Sequence, residues 1–405
     1  MTTATESRPA AQDQVGGTRV PLSILDLATV SEGSTGADAI RASVDLAVQA
    51  DGWGYRRVWY AEHHLSPGVA SASPAVLAAL AASRTSRIRV GSGAVLLSTT
   101  SPVIAAEQFG TIAALHPGRV DLGLGRAFVP PPAGATPAAA PAPVPATPAR
   151  VVDGLHVPAT PPFDFRSANL RERFAAHAQA LGANRTPGDF RAELELVLRL
   201  QASEHVDTAG TSFVSPPVHD AAFDLWVLAS SGGDSARVAG ALGLPLAANF
   251  HVSPSTVLET VASYREAFRP GVLAAPYVVV SVDVLAAATD AEAERLADPH
   301  AAWVWSIRKG TGAIAYPRPG TTTPWEERPD DERELLLDRI SSRVVGSPAT
   351  VVERLEALQR ATGADELLVT TSTHDKADTV RSFELLAEAW GLASATSASA
   401  RAATA

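Results

Sequence analysis

Residues 88–127 read IRVGSGAVLLSTTSPVIAAEQFGTIAALHPGRVDLGLGRA. The apolar run from Ile88 to Leu97 has the β-branched content of a buried strand. Ser101-Pro102 then supplies a helix start, with a hydroxyl for the first unpaired N–H groups and a ring that tolerates the first helical position. A helical pattern runs to Leu115, His116-Pro117-Gly118 breaks it, and a second apolar run begins at Val120. The two runs start 32 residues apart, the size of a strand, a crossover helix and a parallel partner strand.

The same spacing recurs on both sides. Further apolar runs start at Val20 (VPLSILDLA), Arg57 (RVWYAEHH), Asp224 (DLWVLASS), Pro245 (PLAANFHV), Pro276 (PYVVVSVDVLAA) and Ala364 (ADELLVTT). The eight starts lie 37, 31, 32, 104, 21, 31 and 88 residues apart, and five of the seven gaps suit one βα unit. Ser73-Pro74, Ser253-Pro254 and Ser347-Pro348 repeat the helix-opening pair. Near-continuous apolar strands alternating with helices predict an α/β chain folded as a (β/α)8 TIM barrel, with an open doubly wound sheet as the alternative. The long gaps place insertions after strands 4 and 7, on the C-terminal face where such barrels carry their sites. Residues 130–149 hold eight prolines, so 130–165 is expected as a Pro/Ala-rich insertion loop. Residues 288–346 open on a capping-box pattern, Thr289 to Glu292, and close on IAYPRPGTTTPWEERP; this excursion is expected to be a lid. The barrel is expected over residues 20–392, between disordered tails at 1–19 and 393–405.

Composition narrows the function. With 405 residues, 46% of them hydrophobic and 19% charged, the chain can bury a large core. The absence of Cys excludes disulfides, thiolate metal sites, iron–sulfur clusters and a Cys nucleophile. A net charge of −10 argues against a nucleic-acid partner, which calls for a basic face. No run approaches the ~18 apolar residues of a membrane span, and the N-terminus lacks the pattern of a secretory leader, so a cytoplasmic protein with no membrane partner is expected.

Three stretches can carry chemistry. Glu62-His63-His64 ends the second strand, where successive side chains alternate between faces, so His63 and His64 do not share a metal and no metal site is expected. His63 is either an acid/base group at the active end of the barrel or half of a structural pair. Ser230, Ser231, Gly232, Gly233 and Ser235 lie where the fifth strand runs into a helix; they form either a phosphate cradle or a plain turn. Arg126, after the fourth strand, either forks onto an anion or makes a structural ion pair. His251, ending the sixth strand, and His374, past the eighth, join Glu62 as candidates for a substrate pocket.

RVWYAEHH, the 87–127 stretch, WVLASSGGDSARVAGALGLP and VVGSPATVVERLEAL, taken in order, resemble the bacterial luciferase-like flavin-dependent monooxygenases, especially the branch found in secondary metabolism. That resemblance implies a barrel binding reduced FMN, or in some branches a deazaflavin, at its C-terminal mouth. It also implies a catalytic role for His63, and a non-proline cis peptide under the flavin ring at Gly93-Ala94, with Val95 beside it. Arg126 and the turn from Ser230 to Ser235 would hold the flavin phosphate. The expected protein is a two-component monooxygenase: a separate flavin reductase supplies reduced FMN, and dioxygen is used to oxygenate a small organic substrate. Deazaflavin-dependent hydride transfer and a flavin-binding paralogue without turnover are the alternatives. A homodimer, through helices near the second and third strands, is also implied.

Overall fold

All eight apolar runs are strands, and they close on one another. In a computed structural model describing residues 19–126, 147–162, 168–182, 188–202 and 205–392, the barrel strands are β1 (Leu22–Asp26), β2 (Arg57–Tyr60), β3 (Arg89–Ser92), β4 (Val120–Gly125), β5 (Phe223–Ala229), β6 (Leu246–Asn249), β7 (Val278–Ala286) and β8 (Glu366–Thr370). Each pairs in parallel with its neighbours in chain order, and β8 pairs back onto β1 with Leu367 opposite Leu22. The chain is a (β/α)8 TIM barrel. Residues 1–18 and 393–405 of the expected tails and the proline-rich part of the insertion, residues 127–146, lie outside the described residues, whereas Arg19 Nε donates to Glu356 at 2.8 Å.

Side chains fill the barrel in layers. At the base, the Arg57 guanidinium donates to Glu366 at 2.7 and 3.0 Å and to Asp121 at 2.7 Å, while Arg89 Nε reaches Asp121 at 2.9 Å. Tyr277 Oη donates to Glu366 at 2.9 Å and Trp59 Nε1 to Asp121 at 3.0 Å. Above this ionic floor, Trp59 and Trp226 meet edge to face with ring centroids 5.0 Å apart, packed with Leu25, Ala247, Val279 and Leu368. Close packing, in which Trp59 takes part with Asp121 and Leu25, explains two glycines. A Cβ on Gly91 would stand 2.8 Å from Trp59 Cδ1, and one on Gly93 would stand 3.4 Å from the indole and 2.8 Å from Leu25 Cδ1.

Helix starts follow the sequence only in part. Pro occupies the first turn after Ser73, Ser101, Ser253 and Ser347, but only Ser101 caps with its hydroxyl, accepting from Ile104 N at 3.1 Å. Ser253 opens a 3-10 turn, and Ser347 Oγ faces Thr350 Oγ1 instead. Proline's fixed φ, rather than serine's hydroxyl, therefore sets three of these four starts. Thr289 does cap its helix, accepting from Glu292 N at 3.2 Å.

The insertion after β4 departs from the expected loop. Residues Arg150–Val152 and Leu155–Val157 pair as an antiparallel hairpin, turned by Asp153 and Gly154 at φ 48° and 85°. Two central residues with positive φ make the turn that matches strand twist, and Asp-Gly is a sequence that favours it. Leu155 and Val157 join the main core. A Cβ on Gly154 would stand 3.7 Å from Ala357 Cβ, and Arg150 approaches Glu259 to 3.9 Å, so chain that leaves at β4 docks on helices following β6 and β7. Val157→Ala should cost about 1–2 kcal/mol by removing two buried methyl groups; an unchanged urea midpoint would show that the hairpin is only draped on the barrel.

The excursion after β7 folds as helices Asp290–Ala297, His300–Arg308 and Asp330–Ser342, then a strand, Val344–Gly346, beside the end of β7. Trp303, Val304, Tyr316 and Leu336 form a second core with Val69. Its proline-rich stretch is tied to the loops after β1 and β2: Tyr316 N donates to Val30 O at 2.8 Å and Gly68 N to Ala313 O at 2.7 Å. The result is an anchored cover along the β7–β8–β1–β2 rim.

Candidate active site

β2 stops at Tyr60, so Glu62, His63 and His64 lie in the loop at the barrel mouth rather than on alternating strand faces. Glu62 has a different task from the expected substrate contact. Its Oε2 accepts from Leu96 N at 3.1 Å; its Oε1 accepts from Thr99 Oγ1 at 2.8 Å and meets His64 Nε2 at 2.8 Å. The carboxylate thus clamps the loop after β3 and fixes His64. That loop contains the peptide bond between Gly93 and Ala94, which is cis, and Val95 pairs with Leu124 of β4 immediately after it.

His63 is left free for chemistry. Its backbone N–H donates to Ser71 O at 2.8 Å, while its ring is open to the mouth and hydrogen-bonds to no described residue. Protein walls on the other sides solvate an imidazolium poorly, and His64 stands nearby, so the His63 pKa is pushed down to about 4. Water in the open mouth offsets part of that effect. His251, just past β6, anchors Nδ1 on Ser281 Oγ at 2.7 Å. Desolvation, then the charges of Arg339 and His63, push it down to about 3. Both imidazoles are neutral at pH 7, the form that can take a proton. His374 sits elsewhere on the rim, with Nε2 on Glu32 O at 3.1 Å.

Arg126 and the Ser/Gly turn lie at adjacent strand ends, since Leu124 of β4 is opposite Val227 of β5. Arg126 is exposed, its guanidinium 5.9 Å from the Phe190 ring centroid, and it forms no ion pair with a described residue. After Ala229 the chain turns through Ser230, Ser231, Gly232 and Gly233 into the helix Asp234–Ala241, which no side chain caps. Its first N–H groups therefore keep their donor capacity for an anion, and Ser235 lies in that first turn. Gly232 is forced by packing. A Cβ there would meet Ser263 Oγ at 2.7 Å and Glu259 O at 3.0 Å.

A family model described as luciferase-like monooxygenase matches residues 20–366. The chain belongs to the luciferase-like monooxygenase family. This monooxygenase is 36% identical over 376 residues to the uncharacterized protein YvbT of Bacillus subtilis, covering 91% of this chain and 96% of that one. It is 31% identical over 368 residues to a luciferase-like monooxygenase of Escherichia coli, covering 90% and 96%. Among solved structures, apo-MsnO8 superposes with a TM-score of 0.70 at 34% identity, over 93% of this chain and 100% of that one. The fold is shared more widely. The oxygenating constituent of the 3,6-diketocamphane monooxygenase of Pseudomonas putida, in complex with FMN, gives a TM-score of 0.61 at 19% identity over 91% of this monooxygenase and 98% of that chain. A coenzyme F420-dependent secondary alcohol dehydrogenase gives 0.54 at 13% over 92% and 98%.

The fold of the monooxygenase also gathers charged residues that its sequence did not disclose as neighbours. Three arginines of the excursion, Arg308, Arg339 and Arg343, gather near Asp283 and Asp338 at the mouth. Arginine on a helix rich in Asp and Glu reads as surface charge, and only the fold turns it inward.

Proposed function

We propose that the protein is a two-component monooxygenase that takes reduced FMN from a separate reductase and uses dioxygen to oxygenate a small organic substrate at the barrel mouth. The observation that carries this reading is the pairing of two neutral imidazoles, His63 and His251, with an anion site across the mouth. The residues fit the flavin. The uncapped helix at Asp234 and Arg126, which pairs with no described residue, suit its phosphate. When bound, reduced FMN would supply the activation of dioxygen.

The chain's own part is to bind, orient and move protons. Arg126 and the N–H groups of the 230–233 turn grip the phosphate; Glu62 holds the loop after β3 in place; His63 Nδ1 or Nε2 accepts or returns a proton at the reacting group. The anchored cover walls the β7–β8–β1–β2 side of the mouth. No described helix is long and apolar enough to cross a membrane. Ile40, Val76, Leu80 and Ile104 stand exposed on the helices that follow β1, β2 and β3, which supports a homodimer through that side.

Arg126→Ala tests the phosphate site. It should weaken FMN binding about ten- to a hundredfold, the worth of a charge-assisted pair, and leave riboflavin nearly untouched. Equal losses for both flavins in a fluorescence titration would remove Arg126 from the phosphate site.

A further inference from the structure

One guanidinium of the arginine cluster is bonded to no described residue. Arg308 forks onto Asp338 at 2.6 and 2.7 Å. Arg343 donates to Asp283 at 2.6 Å and to Ser372 O at 3.2 Å. Arg339, one helical turn before Arg343, is 8% exposed, yet its guanidinium makes no hydrogen bond or ion pair with any described residue. Among the described residues, the carboxylates that act on Arg339, Asp338 and Asp283, are each bonded to another arginine, and a buried cation without a bonded partner is costly.

We infer that Arg339 is the anion-binding residue of a substrate subsite, and that the organic substrate carries a carboxylate. The inference rests on reading the mouth as the active site. A planar guanidinium matches the two oxygens of a carboxylate. Direction favours substrate over cofactor. The flavin phosphate has its own grip on the β4–β5 side, whereas Arg339 comes from the excursion after β7, next to His251. Burial and the charges of Arg308 and Arg343 lower the Arg339 pKa to about 10, so it stays protonated at neutral pH.

Calorimetric titration of the full-length protein with hexanoate and with its isostere hexanamide, each with and without reduced FMN under anaerobic conditions, tests this. Hexanoate should bind at least about tenfold more tightly than hexanamide. Arg339→Gln should erase that preference, weakening hexanoate about 10- to 100-fold while hexanamide and reduced FMN bind as before. Arg339→Lys should retain part of it. Since Arg339 has no protein partner to lose, Arg339→Gln should also melt at the wild-type temperature or above it. The subsite is refuted by equal binding of the two probes, by no binding of either, by a lowered melting temperature, or by an Arg339→Gln variant that loses reduced FMN and keeps hexanoate. The titrations without flavin judge the subsite separately from the flavin reading: a chain that bound hexanoate through Arg339 but no FMN would overturn only the latter.

Discussion

Replacing His63 with Ala is expected to lower product formation by about 100-fold or more while leaving FMN affinity within a factor of two or so. The reason is geometric. The phosphate grip is built at the ends of β4 and β5, and the His63 ring bonds to no described residue, so removing it disturbs neither binding nor packing. Oxygen should still be consumed, but it should leave as hydrogen peroxide rather than in product. His64→Ala differs, because His64 is held by Glu62 at 2.8 Å and its carbonyl accepts from His177 Nε2 at 2.9 Å. That variant should loosen the loop before it changes coupling. Product and peroxide, counted per reduced FMN for both variants, check the assignment. An unchanged product yield in His63→Ala would leave the motif purely structural.

The second large effect is on stability. Arg57→Leu strips the main partner from two carboxylates inside the barrel, Glu366 and Asp121, both fully buried. Breaking a buried ion network in this way costs about 3–5 kcal/mol, a large share of the 5–15 kcal/mol typical of a folded protein. Urea unfolding should show it, and adding Glu366→Gln should recover part of the loss, because the stranded charge is then gone. Acid acts on the same floor. Burial alone would raise Asp121, but Arg57 and Arg89 hold its carboxyl down to about 2, against 3.8 in the unfolded chain. Its contribution is therefore complete above 3.8 and is lost as pH falls toward 2. The neutral imidazoles act earlier. His63 and His251 are depressed to about 4 and 3 from 6.5, so the unfolded chain binds more protons below 6.5 and stability declines from there downward.

What could be read from the sequence was whatever neighbours along the chain decide. Each strand is a local, largely apolar run between turn signals, and the gap lengths placed both insertions. Arg126 and the Ser/Gly turn were legible because a strand end leading into a helix start is a local arrangement. The ionic floor was not, since Arg57 meets Asp121 across 64 residues and Glu366 across 309. Spacing carries no trace of such pairs. The Arg150–Val157 hairpin was masked by the prolines before it, although Asp153-Gly154 between apolar residues is a hairpin signal in its own right. The clamp made by Glu62 was hidden for a related reason: its partners, Leu96 and Thr99, belong to the next βα unit. Arg339 lies on a helix whose first turn is entirely acidic, and only the docking of that helix on the rim makes it an inward residue.

The most direct test of the proposed function is an anaerobic titration of the protein with reduced FMN and, separately, with reduced coenzyme F420, followed by admission of oxygen. Reduced FMN should bind once per chain, Arg126→Ala should weaken that binding, and the loaded protein should consume oxygen when it is admitted. Binding of the deazaflavin alone, with no oxygen uptake, would contradict the proposal and recast the barrel mouth as a site for hydride transfer.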